Sequence, residues 1–503
     1  MERVSAGITV PSYNAEPPFD PGDAFPETPF RGRASAPNRP YRLLRRLFLD
    51  LALDAAAAGT REWNPLKAVI SPGQTVVLKP NFVLSFNASG GDLFAVVTHP
   101  SIIRALVDFA YLALRGEGRI IIADAPQMDC DWGELMAAQR LDAIQDLYRS
   151  RLKFDVEVCD LRTFAVVDRS RPPYSANRRS LPGDPAGSVT VDLGRASAFH
   201  GLPSENYYGA DYDRAETIRH HQGERHEYQV SKTVLAADAI ISVPKMKVHK
   251  KVGVTLNLKG LVGINTNKNC LVHYRLGTPS RGGDQLPDGQ AGADMAVVRA
   301  QRWLYDHALA RRTGLGDAAY RSAAWAYRSF IKPFRPLSRS TAVQDAGNWH
   351  GNDSAWRMTA DLLKIVTFCS PDGTLKDSPQ RKTFCVVDGI VGGEKNGPLE
   401  PDAKRCGCLV AGSNPPAVDM VAARLMGFDV RRLKQFEVIS DPRWDFGLRS
   451  PSEIEVVVDG ETVAGDRFFD AQRTDPIFGF RPHPGWTGHV EVDAAGRPAK
   501  GGD

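Results

Sequence analysis

The fold of this chain is decided by two short apolar runs, Thr75-Val-Val-Leu-Lys-Pro80 and Arg119-Ile-Ile-Ile-Ala-Asp124. Both are rich in β-branched residues, so we predict that they are buried strands. Between them, Pro100–Leu114 has apolar residues at helical spacing, and the glycine turn Gly116–Gly118 follows it. A strand, a helix and a second strand in this order indicate a parallel sheet. The predicted fold class is therefore α/β, with two lobes of mostly parallel buried sheets flanked by helices and a small antiparallel β tail.

The length of the chain and the order of its patterns predict five segments. At 503 residues the chain is too long for one ordinary hydrophobic core. The predicted segments are an irregular proline-rich arm (1–40), a first α/β lobe (41–290), a helical insertion (291–365), a second α/β lobe (366–450) and a β-rich tail (451–503). The second lobe is expected to contain the strand Thr383–Val387, the loop Asp388–Pro401, the strand Gly407–Ala411 and the helix Pro415–Leu425.

Composition and charge argue against two classes of partner. The formal net charge is only +4 over 503 residues, which gives no reason to expect nucleic-acid binding or a polybasic membrane arm. No stretch approaches the roughly 20 apolar residues that a membrane-spanning helix needs. The first residues contain no apolar signal region. We therefore expect a cytoplasmic protein that binds neither nucleic acid nor membranes, and the sequence indicates no oligomeric state.

The seven cysteines are widely spread, and their odd number favours reduced thiols over a disulfide framework. Cys406 and Cys408 form the only close pair in the sequence. Their spacing is not the C-x-x-C of metal-binding thiolates, and no other cysteine nearby completes a set of four. The sequence therefore predicts neither an iron–sulfur cluster nor a structural zinc site.

Polar side chains stand at the ends of three predicted strands. Lys79 and Asn81 flank the end of the first, Asp124 ends the second, and Lys245 follows an apolar strand at 236–244. Ligands of open α/β sheets bind beyond the carboxyl ends of the strands. These four residues are therefore predicted to converge on one crevice. In the structural alternative, Asp124 caps a turn and Lys79 extends to solvent.

The densest group of candidate residues lies in the segment 242–263. Lys245, Lys247 and His249 alternate along the chain, so an extended backbone places all three on one side. Histidine titrates near neutral pH and is the commonest general acid or base. The same segment contains a second alternating set, which includes a third lysine.

That second set consists of Thr255, Asn257 and Lys259, which are interspersed with apolar residues. A strand would place the three on one side, and a helix would still place Thr255 and Lys259 on one face. Either way Lys259 is surrounded by apolar neighbours, and a desolvated lysine favours its neutral form or an anionic partner. The alternative is a solvated basic face.

Asparagines and glycines at 265–268 and 282–284 permit a loop whose backbone amides hold an anion, and His273 lies between them. Neither a Walker-A motif nor a G-x-G-x-x-G after a strand is present, so nucleotide binding has no direct support. Asp388 and Glu394 lie on a predicted glycine-rich loop, where carboxylates suit Mg²⁺ or Mn²⁺ and equally suit loop hydrogen bonds. A cluster of three histidines offers a transition-metal alternative, although no helix or strand pattern supports it: His220, His221 and His226.

Several motifs in their order along the chain resemble domain-of-unknown-function family 362. They are Lys79-Pro-Asn81, Thr98-His-Pro100, the strand ending at Asp124, Ser242-Val-Pro-Lys-Met-Lys-Val-His249, Gly253-Val-Thr-Leu-Asn-Leu-Lys259, Gly263, Val387-Asp-Gly389, Gly397-Pro398 and Val418-Asp419 through Gly427. The resemblance covers roughly residues 75–427. Many members carry a ferredoxin-like cluster module whose cysteines this chain lacks, so the resemblance does not imply electron transfer. Members often have asparagine where this chain has Gly260. A more distant similarity to the lactate racemase superfamily implies proton or hydride chemistry at a carbon that bears oxygen.

The main hypothesis is an enzyme that acts on an anionic small molecule, a carboxylate or a phosphate, in a cleft between the lobes by acid/base isomerase-type chemistry. The expected catalytic residues are His249, His273 and Lys259. The expected substrate-binding residues are Lys79, Asn81, Lys245, Lys247, Thr255 and Asn257. A Mg or Mn ion, where one is used, would be held by Asp124, Asp388 and Glu394. The alternative hypothesis is a non-catalytic protein that binds a ligand or a partner of a biosynthetic assembly.

Overall fold

The computed structural model describes residues 1–30, 37–169, 177–210, 213–289, 292–304, 339–470 and 478–492, with four single positions between 305 and 338. Its strands are β1 (Glu2–Ile8), β2 (Thr75–Pro80), β3 (Arg119–Asp124), β4 (Val156–Asp160), β5 (Phe164–Val166), β6 (Arg178–Ser180), β7 (Ser188–Asp192), β8 (Tyr207–Tyr208), β9 (Glu227–Ser231), β10 (Ala239–Val243), β11 (Lys245–His249), β12 (Gly253–Val254), β13 (Tyr274–Arg275), β14 (Lys382–Asn396), β15 (Glu400–Gly412), β16 (Ile454–Val458) and β17 (Glu461–Ala464).

The α-helices of the described residues lie on both faces of the main sheet and in the connections. They are α1 (Arg39–Asp50), α2 (Pro100–Leu114), α3 (Trp132–Gln139), α4 (Leu141–Leu152), α5 (Arg214–His220), α6 (Lys232–Leu235), α7 (Leu256–Gly260), α8 (Gly292–Leu304), α9 (Arg339–Gln344), α10 (Ala355–Phe368), α11 (Pro415–Met426) and α12 (Gly465–Phe468). None of the helices in the described ranges combines the length and the apolar character that crossing a bilayer requires.

One eleven-stranded sheet organises the molecule, in the order β17-β16-β1-β15-β14-β10-β2-β3-β4, with β11 beside β14 and β12 beside β11. The five strands β14, β10, β2, β3 and β4 are parallel to one another. The predicted α/β class is therefore confirmed, and β2, β3 and α2 have the bounds that the sequence predicts. Small two-stranded antiparallel sheets accompany the main sheet.

Burial on both faces explains why the central strands are continuous apolar runs. Val77 and Ile121 pack into a core cluster on one face of the sheet, while Val76, Leu78 and Ile122 pack into a second cluster on the other face. A parallel sheet covered by helices on both sides needs apolar side chains at every position. The polar residues at the strand ends are therefore the first that lie outside these two cores.

The amino-terminal arm differs from the prediction, because residues 2–8 are not irregular. They form β1, which pairs antiparallel with β15 and parallel with β16. Val4, Ser5 and Ala6 are all buried. Partners some 400 residues away in the sequence stabilise this strand, so local composition could not reveal it.

The region predicted as a second lobe adds its strands to the same sheet. β14 pairs with β10, and the predicted loop Asp388–Pro401 is wrong because β14 continues to Asn396 and β15 begins at Glu400. Gly393 allows close packing there, since a Cβ would come within 2.6 Å of the backbone oxygen of Ala95. Within the predicted helical insertion the structure has α8, α9 and the first part of α10, and most of the residues 305–338 lie outside the described ranges.

The tail contains one antiparallel hairpin, β16–β17, in agreement with the alternating pattern there. Its first strand also pairs in parallel with β1, so the hairpin forms the edge of the main sheet. Beyond it the chain forms the short helix α12, and residues 478–492 contain no further strand of the main sheet. The tail therefore closes the sheet edge on the side away from β4.

Candidate functional site

A cavity of about 210 Å³ lies beyond the carboxyl ends of β2 and β3, where β11, α7 and the following loop meet them. Seven residues that the sequence singles out line it: Asn81, Asp124, Lys247, His249, Thr255, Lys259 and His273. The lining also includes seven polar residues that were not predicted as site residues: Gln127, Lys250, Lys251, Lys268, Tyr274, Arg302 and Asn348. Six of the lining side chains are lysines or arginines and one is a carboxylate, so the cavity favours a negatively charged ligand.

The one carboxylate in the lining is held from behind by Lys79. The Nζ of Lys79 lies 2.9 Å from Oδ1 of Asp124, and the backbone amides of Phe82 and Ala125 donate to the same carboxylate. Both side chains are buried. Gly263 packs directly on this pair, since a Cβ at that position would come within 1.7 Å of the carboxylate oxygen. Asp124 is therefore part of the cavity wall, and Lys79 is its counter-ion and does not itself line the cavity.

Lys245 lies in a separate buried cluster. Its ammonium lies 2.8 Å from Oδ2 of Asp388, and neither side chain has any solvent-exposed surface. The hydroxyl of Tyr13 accepts from Lys245 at 2.7 Å and donates to Asp388 at 2.7 Å, and the backbone amide of His99 also donates to that carboxylate. Neither Lys245 nor Asp388 lines the cavity. Of the four residues predicted to converge on one crevice, only Asn81 and Asp124 line the cavity, and Lys245 is enclosed with Asp388 and Tyr13 instead.

Lys247 follows two residues later and does reach the cavity. Its ammonium donates to the carbonyl oxygens of Val96 at 2.7 Å and Pro398 at 3.2 Å. Burial, together with the positive charges of Lys245 and Lys259, holds the pKa of Lys247 well below its usual value. Lys245 and Lys247 are two positions apart on β11, so a regular strand would place both on the same side. The pairing of β11 with β14 is irregular between them, and the two lysines have different partners.

The start of α7 fixes the position of the next candidates. Leu256 has φ +47°, a conformation that L-residues rarely adopt, and the buried carboxylate of Asp419 accepts from the backbone amides of Asn257 and Leu258. The side chain of Asn257 also donates to Asp419, and Asn257 does not line the cavity. Burial raises the pKa of Asp419 to about 7. Asn257 therefore belongs to the support of this turn, whereas Thr255 lines the cavity with a buried hydroxyl that has no hydrogen-bond partner in the described ranges.

Lys259 is the most unusual cation of the site. It lies on α7 with only 6% of its surface exposed, and its ammonium has no hydrogen-bond or ion-pair partner among the described residues. Burial alone lowers the pKa of Lys259 from 10.5 to about 7. An ammonium in this situation gains free energy from an anion that enters the cavity.

Lys268 is a similar residue, and its role as a candidate was not predicted. Its ammonium donates to the carbonyl of Val262 at 2.7 Å, and burial is the main cause that lowers the pKa of Lys268 to about 7. Asp124 raises that pKa, whereas the positive charges of Lys79 and Lys259 lower it further. The asparagine-rich loop at 265–268 was the only signal in the sequence, and it suggested backbone amides rather than this side chain as the anion ligand.

The two histidines of the cavity present different nitrogens. Nδ1 of His249 accepts a hydrogen bond from the backbone amide of Lys251 at 3.0 Å. The ring proton of the neutral imidazole therefore lies on Nε2. Nδ1 of His273 lies 3.1 Å from the carbonyl oxygen of Leu271 and must donate to it, which leaves Nε2 as the basic nitrogen. Burial, with the charge of Lys259 as the next cause, holds the pKa of both histidines well below the usual value.

The three carboxylates predicted to hold a metal ion do not come together. Asp388 and Glu394 are six residues apart on one strand, which separates their Cα atoms by about 20 Å. Each carboxylate has its own cation, Lys79 for Asp124, Lys245 for Asp388 and Arg481 for Glu394. Oxygens already bound to ammonium and guanidinium groups do not fit a shared Mg or Mn ion.

The histidine cluster outside the cavity is also engaged locally. Nδ1 of His221 lies 3.4 Å from Nδ1 of His226, the other nitrogen of His221 contacts the carbonyl of Cys270 at 2.7 Å, and His220 lies 3.0 Å from Glu227. Across the described ranges, no group of three or more histidine, cysteine, aspartate or glutamate side chains has the geometry of a metal site. The seven cysteines, all of which lie in those ranges, are free thiols.

Comparison with known proteins places the chain in a family. Residues 165–424, a little over half of the chain, match the family model described as a domain of unknown function, DUF362. This chain belongs to the DUF362 family. No curated protein and no solved structure matches it.

The DUF362 match runs from β5 to α11 and includes most of the cavity lining. Lys247, His249, Lys259, Lys268 and His273 all lie within the matched residues. Residues 75–164, which carry the first motifs of the resemblance, lie before the match begins. The lysines and histidines of the cavity therefore belong to the DUF362 segment, whereas Asn81 and Asp124 come from the strands that precede it.

Proposed function

We propose that this DUF362 protein is an enzyme that moves a proton on a small anionic substrate, with the anion held by the cavity lysines and the proton transferred by histidine. The observation that carries the proposal is that His249 and His273 line one cavity with complementary nitrogens, one a donor and the other an acceptor. A cavity of about 210 Å³ has room for a small organic acid.

The chemistry proposed is removal of a proton from a carbon next to a carbonyl or carboxyl carbon. Nε2 of His273 accepts the proton as the C–H bond breaks, and the electron pair moves to the substrate oxygen. The Nε2–H of His249 donates a hydrogen bond to that oxygen, where negative charge develops. The distant resemblance to the lactate racemase superfamily supports a reaction at a carbon that bears oxygen.

The lowered pKa of the histidines fits this role once the anion is bound. In the empty cavity the charge of Lys259 disfavours a second positive charge on His249 or His273. A bound anion offsets that charge, so the pKa of His273 rises toward the range in which imidazole is an effective base. Substrate binding would thereby prepare the base, and a neutral molecule of the same shape would not.

Exchange of carbon-bound hydrogen for deuterium tests the proposal. The full-length protein is incubated in D₂O with a panel of small 2-hydroxy acids, 2-oxo acids and their phosphate esters, and proton NMR follows the C–H signal next to the oxygen-bearing carbon. We expect exchange with at least one panel member and a loss of about 100-fold or more in His273→Gln, since general base catalysis contributes roughly 10²–10⁴-fold. His220→Gln is the matched control, because His220 lies outside the cavity and pairs with Glu227.

The result separates the enzyme from the alternative, a non-catalytic binding protein. If panel members bind but none exchanges, or if exchange is unchanged in both His273→Gln and His249→Gln, the acid/base proposal is wrong. Binding without exchange would favour the ligand-binding alternative, because a binding protein needs the lysines and not the histidines.

A further inference from the structure

The cavity contains three buried lysines that no carboxylate neutralises. Lys247, Lys259 and Lys268 are 0%, 6% and 3% exposed. Within the described ranges none of them forms an ion pair, and the single carboxylate of the lining, Asp124, is already paired with Lys79. A buried positive charge without a partner is costly, so a group of three indicates a ligand with more than one negative charge.

The three ammonium groups are electrostatic neighbours. All three line the same cavity, and the charge of Lys259 lowers the pKa of both Lys247 and Lys268. Each ammonium has three N–H donors. The carbonyl contacts occupy two donors of Lys247 and one of Lys268, and no contact occupies those of Lys259 in the described structure. Donors therefore remain on all three residues for the oxygens of one group.

We propose that the anion carries a doubly charged phosphate group, of the phosphate monoester class, which Lys247, Lys259 and Lys268 bind together. Lysine binds phosphate as a compact point charge, and three ammonium groups in one cavity suit a group that carries two negative charges. The arginine of the lining, Arg302, is paired with Asp345 at 3.2 Å. This inference rests on the proposed function only in using the same cavity, and it names the substrate class for that reaction.

Proton uptake distinguishes this site from lysines that are buried for packing alone. A dianion stabilises the charged form of Lys259 and Lys268, whose pKa in the empty cavity is about 7. Binding above that pH therefore takes up protons, and affinity falls as pH rises. Sulfate is a useful probe because its own charge does not change in this range, so any pH dependence belongs to the protein.

Isothermal titration calorimetry on the full-length protein tests the proposal with methyl phosphate, sulfate and acetate, at pH 6.5 and 8.5 and in two buffers of different ionisation enthalpy. We expect the wild-type protein to bind methyl phosphate at least about tenfold more tightly than acetate, since each added charged hydrogen bond contributes roughly 1.5–3 kcal/mol. We expect proton uptake with sulfate at pH 8.5 and weaker binding there than at pH 6.5.

The variants locate the site. Lys268→Met should weaken methyl phosphate binding by about 10- to 100-fold through the loss of one charged contact. Lys376→Met, an exposed lysine outside the cavity, should bind as the wild type does. The comparison of ligands in the wild type decides the matter if Lys268→Met does not fold. Equal affinity for acetate and methyl phosphate, or binding of sulfate without proton uptake, would overturn the proposal.

The same titration on His273→Gln separates this inference from the proposed function. We expect methyl phosphate binding to be retained there, because the histidine is not needed to hold the phosphate. Tight methyl phosphate binding in a protein that catalyses no exchange would support the phosphate site and refute the proposed acid/base function. Exchange of carbon-bound hydrogen on simple carboxylates, together with equal affinity for acetate and methyl phosphate, would support the acid/base function and refute the phosphate site.

Discussion

Replacing Lys259 by methionine is the sharpest test of the site. Methionine keeps the length and packing of the stem and removes the charge. If a structural carboxylate were the partner of Lys259, the variant would leave that carboxylate unpaired and lose about 3–5 kcal/mol of stability. Within the described chain the ammonium has no such partner. The structure therefore predicts that Lys259→Met increases the free energy of unfolding instead of lowering it.

The magnitude follows from the pKa of Lys259. Burial lowers it from 10.5 to about 7, and each tenfold change in the acid constant is worth about 1.4 kcal/mol, so burial penalises the charged form by about 5 kcal/mol. This penalty is present in full below pH 7, where the amine is charged in both the folded and the unfolded chain. It disappears between pH 7 and 10.5, because the folded chain already holds a neutral amine there. Wild-type stability should therefore rise relative to Lys259→Met across this window.

Urea denaturation of both proteins at pH 6 and pH 9 measures this difference. We expect Lys259→Met to be more stable than the wild type by several kcal/mol at pH 6 and by less at pH 9. We also expect it to bind small anions about 10- to 100-fold more weakly. Lys376→Met controls for the loss of a lysine that is exposed. A variant that is markedly less stable at pH 6 would show that Lys259 supports the fold and would move the anion site to the other cavity lysines.

Three further outcomes are expected. Asp388→Asn leaves Lys245 buried opposite a neutral group, so it should lose about 3–5 kcal/mol in a urea titration, and an unchanged midpoint would contradict the buried pair. Gly263→Ala places a Cβ within 1.7 Å of a carboxylate oxygen and should cost about 1–3 kcal/mol by thermal denaturation, whereas Gly260→Ala, with its nearest contact at 3.8 Å, should be close to neutral. Sulfate should raise the pKa of His273 in an NMR titration of the ring protons, because it offsets a neighbouring lysine charge, and a pKa that falls or stays constant would contradict the proposed preparation of the base.

The parts of the fold that the sequence predicts correctly are those whose signal is local. β2, β3 and α2 can be recognised because each segment is apolar by itself, and the same burial on both faces that makes the strands apolar also fixes their extent. β1 could not be recognised, because its seven residues are held by strands at the other end of the chain. The glycines of β14 suggested a loop, whereas they allow close packing against neighbouring backbone, which depends on the tertiary structure.

The candidate site divides in the same way. The strand-end rule and the alternation in 242–263 select six of the residues that line the cavity. Lys245 was assigned to that lining for the same reason as Lys247, and the pattern alone could not separate them. What separates them is Asp388, 143 positions further along, and Tyr13, 232 positions earlier. Ion pairs between residues so far apart in the sequence produce no local sequence pattern. The sequence can therefore indicate which lysines lie near a site, but not which of them are neutralised by a carboxylate.

This distinction between neutralised and uncompensated lysines is the basis of the functional reading. Lys245 and Lys259 are both buried lysines of one segment, and burial lowers the pKa of each. The ion pair with Asp388 offsets the free energy that burying the charge of Lys245 costs. Lys245 therefore needs no ligand to compensate its charge. The described chain supplies no carboxylate partner for Lys259, so burying its charge lowers the stability of the fold. A residue that reduces stability and faces a cavity is expected where a ligand restores the lost free energy, and this argument underlies the function that we propose for the cavity.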